Sequence, residues 1–141
     1  MNRHAIVVSD QSDPALEQFL GDGLDEFNQA AAGVTDRRPL CVIVRDPDSQ
    51  TVVGGITGRT SLGLAFLDLL YLTESLRGSG LGARLLNAFE QEARHRGCGA
   101  AVLYTISFQA PGFYQKNGWV SFGEIRSERQ GISRVFMSKK L

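Results

Sequence analysis

Residues 77–84 read Arg-Gly-Ser-Gly-Leu-Gly-Ala-Arg and follow an almost continuously apolar stretch from Leu64 to Leu72. That stretch predicts a central strand covered on both faces, and residues 81–96 behind the glycines predict a helix. The glycines therefore lie at a strand-to-helix turn, where the backbone can come close to a ligand. Unpaired amides and the positive end of the helix dipole make such a turn a candidate site for phosphate or pyrophosphate. A turn that is glycine-rich for packing alone is the alternative.

The segments around this turn predict strands and helices in the order β-α-α-β-β-β-α-β-α-β-β, without repeats. A helix start at Asp13-Pro14 leads into a region that Gly21 and Gly23 are expected to divide into two short helices. The predicted strands are residues 5–8, 40–45, 51–57, 64–72, 100–106, 120–122 and 134–137, and the later helices are residues 81–96 and 110–116. This order predicts an α/β fold with a mixed, mostly antiparallel sheet flanked by helices, formed by residues 1–141 as a single domain.

Composition excludes several classes of function. Fifteen Lys and Arg balance fifteen Asp and Glu, so no overall field recruits nucleic acid or an anionic membrane. No stretch approaches the ~20 apolar residues of a membrane span. Two cysteines are too few for a thiolate metal site. We therefore expect a cytoplasmic protein without a metal, a nucleic-acid partner or a membrane partner.

Two known phosphate-binding patterns fit the turn poorly. The Walker A pattern fails because no Gly-Lys-Ser/Thr follows the glycines. Gly78, Gly80 and Ala83 satisfy the dinucleotide fingerprint as a string. That fingerprint also requires an acidic residue about 20 positions further on, and no Asp or Glu occurs between Ala93 and Gly123. The dinucleotide interpretation is therefore weak.

A third pattern fits better. Arg77-x-x-Gly80-x-Gly82 lies at the turn, and Phe113-Tyr114-x-x-x-Gly118-Trp119 follows further along the chain. With these two motifs the chain resembles the GNAT superfamily of N-acetyltransferases, from about residue 5 to its end. The resemblance implies a sheet that splits into a V between the strands at 64–72 and 100–106. It also implies that acetyl-CoA, as co-substrate, lies in the gap.

The resemblance assigns contacts with CoA along this gap. The pyrophosphate would rest on the amides of residues 77–83, and the pantetheine would pair with the backbone near Leu70 and Leu72. The amide of Leu72 would face the thioester oxygen as part of an oxyanion hole. Ser107 stands where the family often has an Asn that contacts CoA. The cofactor-binding residues so implied are Leu70, Leu72, Arg77, Gly78, Ser79, Gly80, Leu81, Gly82, Ala83, Arg84, Ser107 and Phe113.

Two residues are candidates for proton transfer. Tyr114 matches the family's usual general acid, which would protonate the leaving thiolate; packing beside Phe113 is the alternative. Asp68 is the acid within the apolar central strand and matches a base proposed for polyamine-type relatives. A solvated Asp at the strand face is the alternative there, and Glu74 is a weaker candidate for the base.

The predicted function is transfer of an acetyl group from acetyl-CoA to a primary amine of a small molecule or peptide, by direct attack in a ternary complex. A non-catalytic acyl-CoA-binding sensor or interaction module is the alternative. Residues 21–36, 59–63 and 124–131 are expected to carry acceptor specificity, and the acceptor itself is not predicted. The resemblance is also compatible with a homodimer.

Overall fold

The computed structural model describes residues 3–141, which form two compact units divided after Thr35. The elements are α1 (Pro14–Ala32), β1 (Arg38–Arg45), β2 (Val52–Ser61), β3 (Leu64–Leu72), a 3-10 turn (Glu74–Leu76), α2 (Leu81–His95), β4 (Ala100–Ile106), α3 (Pro111–Lys116), β5 (Val120–Arg126) and β6 (Ser133–Lys140). No helix in residues 3–141 is long and apolar enough to cross a membrane. That residues 1–141 form a single domain stays a prediction.

The N-terminal unit contains one continuous helix. The Asp13 carboxylate accepts hydrogen bonds from the amides of Ala15 and Leu16 at 3.0 and 3.2 Å, and the helix ends at Gly33 with φ +75°. The prediction that Gly21 and Gly23 divide this region into two helices is wrong. Each of the two glycines costs about 1 kcal/mol within a helix, and the 19-residue length with its aspartate cap offsets that cost.

The predicted first strand is also not found. Residues 5–8 are irregular. A strand requires a partner to satisfy its backbone hydrogen bonds, and the described residues of the N-terminal unit contain no other strand. The short apolar run of residues 5–8 was therefore an insufficient signal for a strand.

The second unit is built on a six-stranded sheet in the order β1-β2-β3-β4-β6-β5. All neighbours are antiparallel except β3 and β4, which are parallel. This confirms the predicted mixed, mostly antiparallel sheet. In the described sheet β3 and β4 pair at three positions, from Leu64 opposite Ala100 to Phe66 opposite Val102. Beyond these pairs the two strands run on to Leu72 and Ile106, which gives the predicted V.

Helix α2 covers one face of this sheet and fixes the position of the glycine turn at its own N-terminus. Phe89 and Leu86 of α2 are buried among Met137 of β6 and the apolar residues of the central strands. At the other end of α2 the Arg96 guanidinium donates to the Pro39 carbonyl at 2.9 Å. The same guanidinium donates to the Thr60 hydroxyl at 3.1 Å. These bonds attach the C-terminal end of α2 to β1 and β2.

Candidate active site

A cavity of about 780 Å³ lies between the diverging ends of β3 and β4. Its size is that of a typical ligand pocket. Predicted site residues in its lining are Leu70, Leu72, Arg77, Gly78, Gly80, Gly82, Ala83, Phe113 and Tyr114. Both motifs found in the sequence therefore face one cavity. Ser79, Leu81, Arg84, Ser107 and Asp68 lie outside this lining.

The glycine turn presents backbone to the cavity. Gly78 and Gly80 have φ +77° and +84°, and a Cβ added at either would meet no atom of the described chain within 4 Å. Gly80 is the N-cap of α2, and no side chain of the described residues caps that end. The Ser79 hydroxyl donates to the Leu76 carbonyl at 2.7 Å, which tightens the turn. The arrangement offers helix-terminal amides to an anion.

Arg77 ties the turn to the end of the central strand. Its Nε donates to the Leu72 carbonyl at 3.0 Å, and its guanidinium carbon lies 5.4 Å from the centre of the Tyr71 ring. The Arg77 side chain therefore fixes the path of the chain from β3 into the turn, in addition to any contact it makes with a ligand.

Helix α3 places Tyr114 in the same cavity. Tyr114 is 7% exposed, and its ring packs edge-on against the rings of Phe113 and Trp119, at centroid distances of 5.1 and 6.0 Å. Burial raises the pKa of Tyr114 to about 12. The hydroxyl therefore keeps its proton across the neutral range.

The turn and α3 meet at Gly82. A Cβ built at this position would lie 3.3 Å from two carbons of the Phe113 ring. Glycine at 82 therefore allows α3 to approach the start of α2 closely.

Asp68 is the extra residue of a β-bulge. Thr57 of β2 faces Leu69 and the next residue, Gly58, faces Leu67. Asp68 is half-exposed, and its two carboxylate oxygens accept hydrogen bonds from Arg59 Nη1 at 2.9 and 3.2 Å. Bulges occur beside active sites, where they re-aim a side chain. The alternative base, Glu74, is exposed in the 3-10 turn.

Ser107 makes contacts away from the cavity. Its hydroxyl donates to the Gly131 carbonyl at 3.2 Å and accepts from the Ser133 amide at 3.1 Å. These bonds join the end of β4 to the connection between β5 and β6. Where the family often carries an Asn that contacts CoA, this chain has a residue that holds a loop.

Several residues that line the cavity were not predicted as site residues. Tyr71, Thr105, Phe108, Gln109, Ala110 and Asn117 also line the cavity. Asn117 Nδ2 donates to the Phe113 carbonyl at 2.8 Å and so caps the end of α3. Its place one residue before Gly118, at a helix end, is the signal that could have found it.

A family model described as acetyltransferase (GNAT) family matches residues 5–119. The chain belongs to the GNAT acetyltransferase family. An acetyltransferase of Agrobacterium fabrum is 34% identical to it, over 95% of this chain and 97% of the relative. The blasticidin-S acetyltransferase of Streptomyces morookaense is 36% identical, over 95% of this chain and 93% of its own length.

The fold of this acetyltransferase agrees with that assignment. A crystal structure of an acetyltransferase from Agrobacterium tumefaciens superposes with a TM-score of 0.85 at 33% identity, covering 98% of this chain and 100% of that one. The predicted family, fold class and enzyme class are confirmed. Within residues 3–141 no group of three or more His, Cys, Asp or Glu side chains could hold a metal ion.

Proposed function

We propose that this acetyltransferase moves the acetyl group of acetyl-CoA to a primary amine of a small molecule or peptide, by direct attack in a ternary complex. The observation that carries the proposal is Tyr114, a buried proton donor in the same cavity as the glycine turn. The similarity of this chain to a blasticidin-S acetyltransferase supports a small-molecule acceptor.

The residues of the cavity suit CoA. Gly78 and Gly80 leave open space where a side chain would fill the cradle, and the amides at the start of α2 would hold the pyrophosphate. Pairing between β3 and β4 stops at Phe66 and Val102 in the described sheet. The backbone near Leu70 and Leu72 therefore borders the gap and would pair with the pantetheine amides.

In this proposal Tyr114 is the general acid. Acetyl-CoA supplies an activated acyl group, and attack by the amine releases a thiolate. The Tyr114 phenol is protonated at neutral pH, so it can donate a hydrogen bond to that thiolate and give it a proton as charge develops. The amide of Leu72 would donate to the thioester oxygen, where charge also develops.

Asp68 is the proposed general base. The amine reaches the cavity mostly as an ammonium and must lose a proton before it attacks. Asp68 lies outside the cavity lining but on β3, at the bulge four residues before Leu72, so a chain of waters would have to carry the proton to it. The ion pair between Asp68 and Arg59 is half-exposed, so a water molecule can replace Arg59 as a hydrogen-bond partner of the carboxylate.

Replacing Asp68 tests this role. Asp68→Asn is expected to lower kcat/KM at least about tenfold at pH 7 and to flatten the acidic limb of the pH–rate profile. Glu74→Gln, the other candidate acid, serves as the matched control. A profile that Asp68→Asn leaves unchanged would remove Asp68 from the mechanism, and a change in Glu74→Gln alone would move the role there.

Thiol release from acetyl-CoA against a panel of amines tests the function as a whole. The panel should contain polyamines, aminoglycosides, amino nucleosides and peptide N-termini, each run with Tyr114→Phe as control. We expect amine-dependent thiol release that falls in the variant. Tight acetyl-CoA binding without turnover on any amine would instead support the binding module.

A further inference from the structure

A cluster of polar side chains lies at the C-terminal end of α3. We call Glu90, Asn117, Trp119 and Lys139 the Glu90 cluster. Glu90 of α2 is 3% exposed. One carboxylate oxygen accepts from Lys139 Nζ at 2.6 Å, and the other accepts from Trp119 Nε1 at 3.2 Å. Arg94 Nη2 lies 3.8 Å from the first oxygen.

The Glu90 cluster reaches the last turn of α3 through Lys139. The Lys139 ammonium also donates to the Asn117 carbonyl at 2.8 Å. Gly118, with φ +89°, allows the backbone to pass this side chain, because a Cβ there would lie 3.3 Å from Lys139 Cε. One ammonium group therefore joins the carboxylate of α2 to the residue that follows α3.

The same cluster reaches Tyr114 through Trp119. The Trp119 amide donates to the Tyr114 carbonyl at 3.0 Å, and the two rings are in edge contact. An indole N–H can donate one hydrogen bond, and here it donates to Glu90. That bond fixes the orientation of the ring against which Tyr114 packs.

Stability alone is a weak reason for such a cluster. A buried ion pair is often no more stabilising than apolar side chains of similar volume. A helix of six residues, in contrast, has almost no stability of its own, so its geometry depends on what holds its ends. The Glu90 cluster supplies those contacts at the end nearest Tyr114.

We infer that Glu90 is a positioning residue for Tyr114. It holds Trp119 directly and the Asn117 carbonyl through Lys139, and so fixes where the Tyr114 hydroxyl lies in the cavity. Because α2 also begins at the glycine turn, one helix would position both the phosphate-binding amides and the proton donor. The inference rests on the proposed role of Tyr114.

The first test compares Glu90→Gln with Glu92→Gln. Glu92 lies on the same helix and bonds Arg96 at 2.8 Å, so its variant loses an ion pair of similar length that is more exposed and lies away from α3. We expect Glu90→Gln to lower kcat about tenfold, since small misplacements of a reacting group are costly, with the KM for acetyl-CoA unchanged within about twofold. Glu92→Gln should leave both constants near wild type. Equal kcat in all three proteins would overturn the inference.

A second variant separates positioning from folding. Glu90→Gln/Lys139→Met removes both charges, leaves no unpaired buried ion and keeps an acceptor for Trp119. It is expected to unfold close to the wild-type temperature and still to show the reduced kcat. A double variant with wild-type kcat would mean that the ion pair is structural only. Trp119 is the single tryptophan, so a shift in its emission would report the altered ring environment.

A cycle with Tyr114→Phe distinguishes this inference from the proposed function. In the Tyr114→Phe background the further loss from Glu90→Gln should be less than about twofold, because coupled residues are not additive. The same tenfold loss in both backgrounds would refute positioning and leave the acid role intact. No loss from Tyr114→Phe alone would refute the acid role itself.

Discussion

The glycine turn and the segment around α3 line the same cavity but are built in opposite ways. At Gly78 and Gly80 an added Cβ would meet no atom of the described chain within 4 Å, and the proposed binding groups are backbone amides. At α3 the proposed acting group is one side chain. Tyr114 and Trp119 are buried there, and the Trp119 amide is hydrogen-bonded to the Tyr114 carbonyl. An open backbone site is therefore visible in the sequence as glycines, whereas the position of a packed side chain depends on residues that are distant in the chain.

The largest expected effect tests the side-chain half of this comparison. Tyr114→Phe should lower kcat about 100-fold, the usual contribution of a positioned acid, while the Kd for acetyl-CoA changes less than about twofold. Steady-state kinetics and calorimetric titration measure the two quantities. Tyr104→Phe is the control, since Tyr104 is exposed and lies outside the cavity lining. An unchanged kcat in Tyr114→Phe would mean that the ring only packs.

The burial of Tyr114 should also appear in the pH dependence of stability. Its pKa rises from 10.0 to about 12 in the folded protein. Both states hold the proton below pH 10, and above it the unfolded state ionises first. The free energy of unfolding should therefore fall between pH 10 and pH 12, by about 2 kcal/mol.

Denaturant unfolding at pH 9 to 12 measures that fall. Tyr114→Phe should lose this part of the slope and Tyr104→Phe should keep it. Identical slopes in the wild type and Tyr114→Phe would show that the Tyr114 hydroxyl is not buried as described.

The smallest expected effect tests the backbone half. Gly80→Ala forces a Cβ into the left-handed region, which costs about 1–2 kcal/mol, so the turn should shift and weaken acetyl-CoA binding about tenfold. Gly97→Ala is a matched control. Gly97 has the same φ of +84° and the same open space within the described chain, but it follows the other end of α2. If both variants lose similar stability and have equal Kd values for acetyl-CoA, the turn does not bind the phosphates.

The sequence predicted the elements whose signals are local. The apolar runs 64–72 and 100–106 became β3 and β4 with the predicted bounds, since buried strands need little context. Residues 5–8 were predicted as a strand, but the described part of their unit offers no strand partner. Gly21 and Gly23 were predicted to divide α1, but the helix is long and Asp13 caps its start. Tyr114 was found through a family motif, not through its own chemistry.

Glu90 could not have been predicted as a site residue. Its partners Trp119 and Lys139 are 29 and 49 positions away in the chain. In the sequence it is one glutamate among the other charged residues of a helix, and only the fold shows that it is buried and paired. The bulge at Asp68 was hidden for the same reason, because a bulge is a property of two strands rather than of one.

The short pairing of β3 with β4 has a further consequence. Three residue pairs join β1-β2-β3 to β4-β6-β5 in the described sheet. A ligand that forms hydrogen bonds with the unpaired ends of β3 and β4 would therefore link the two halves of the sheet, as an additional strand would. Amides near Leu70 and Leu72 should then exchange hydrogen more slowly, and thermal stability should rise with ligand concentration. The lifetime of this enzyme in a cell would thereby follow the supply of its acetyl donor.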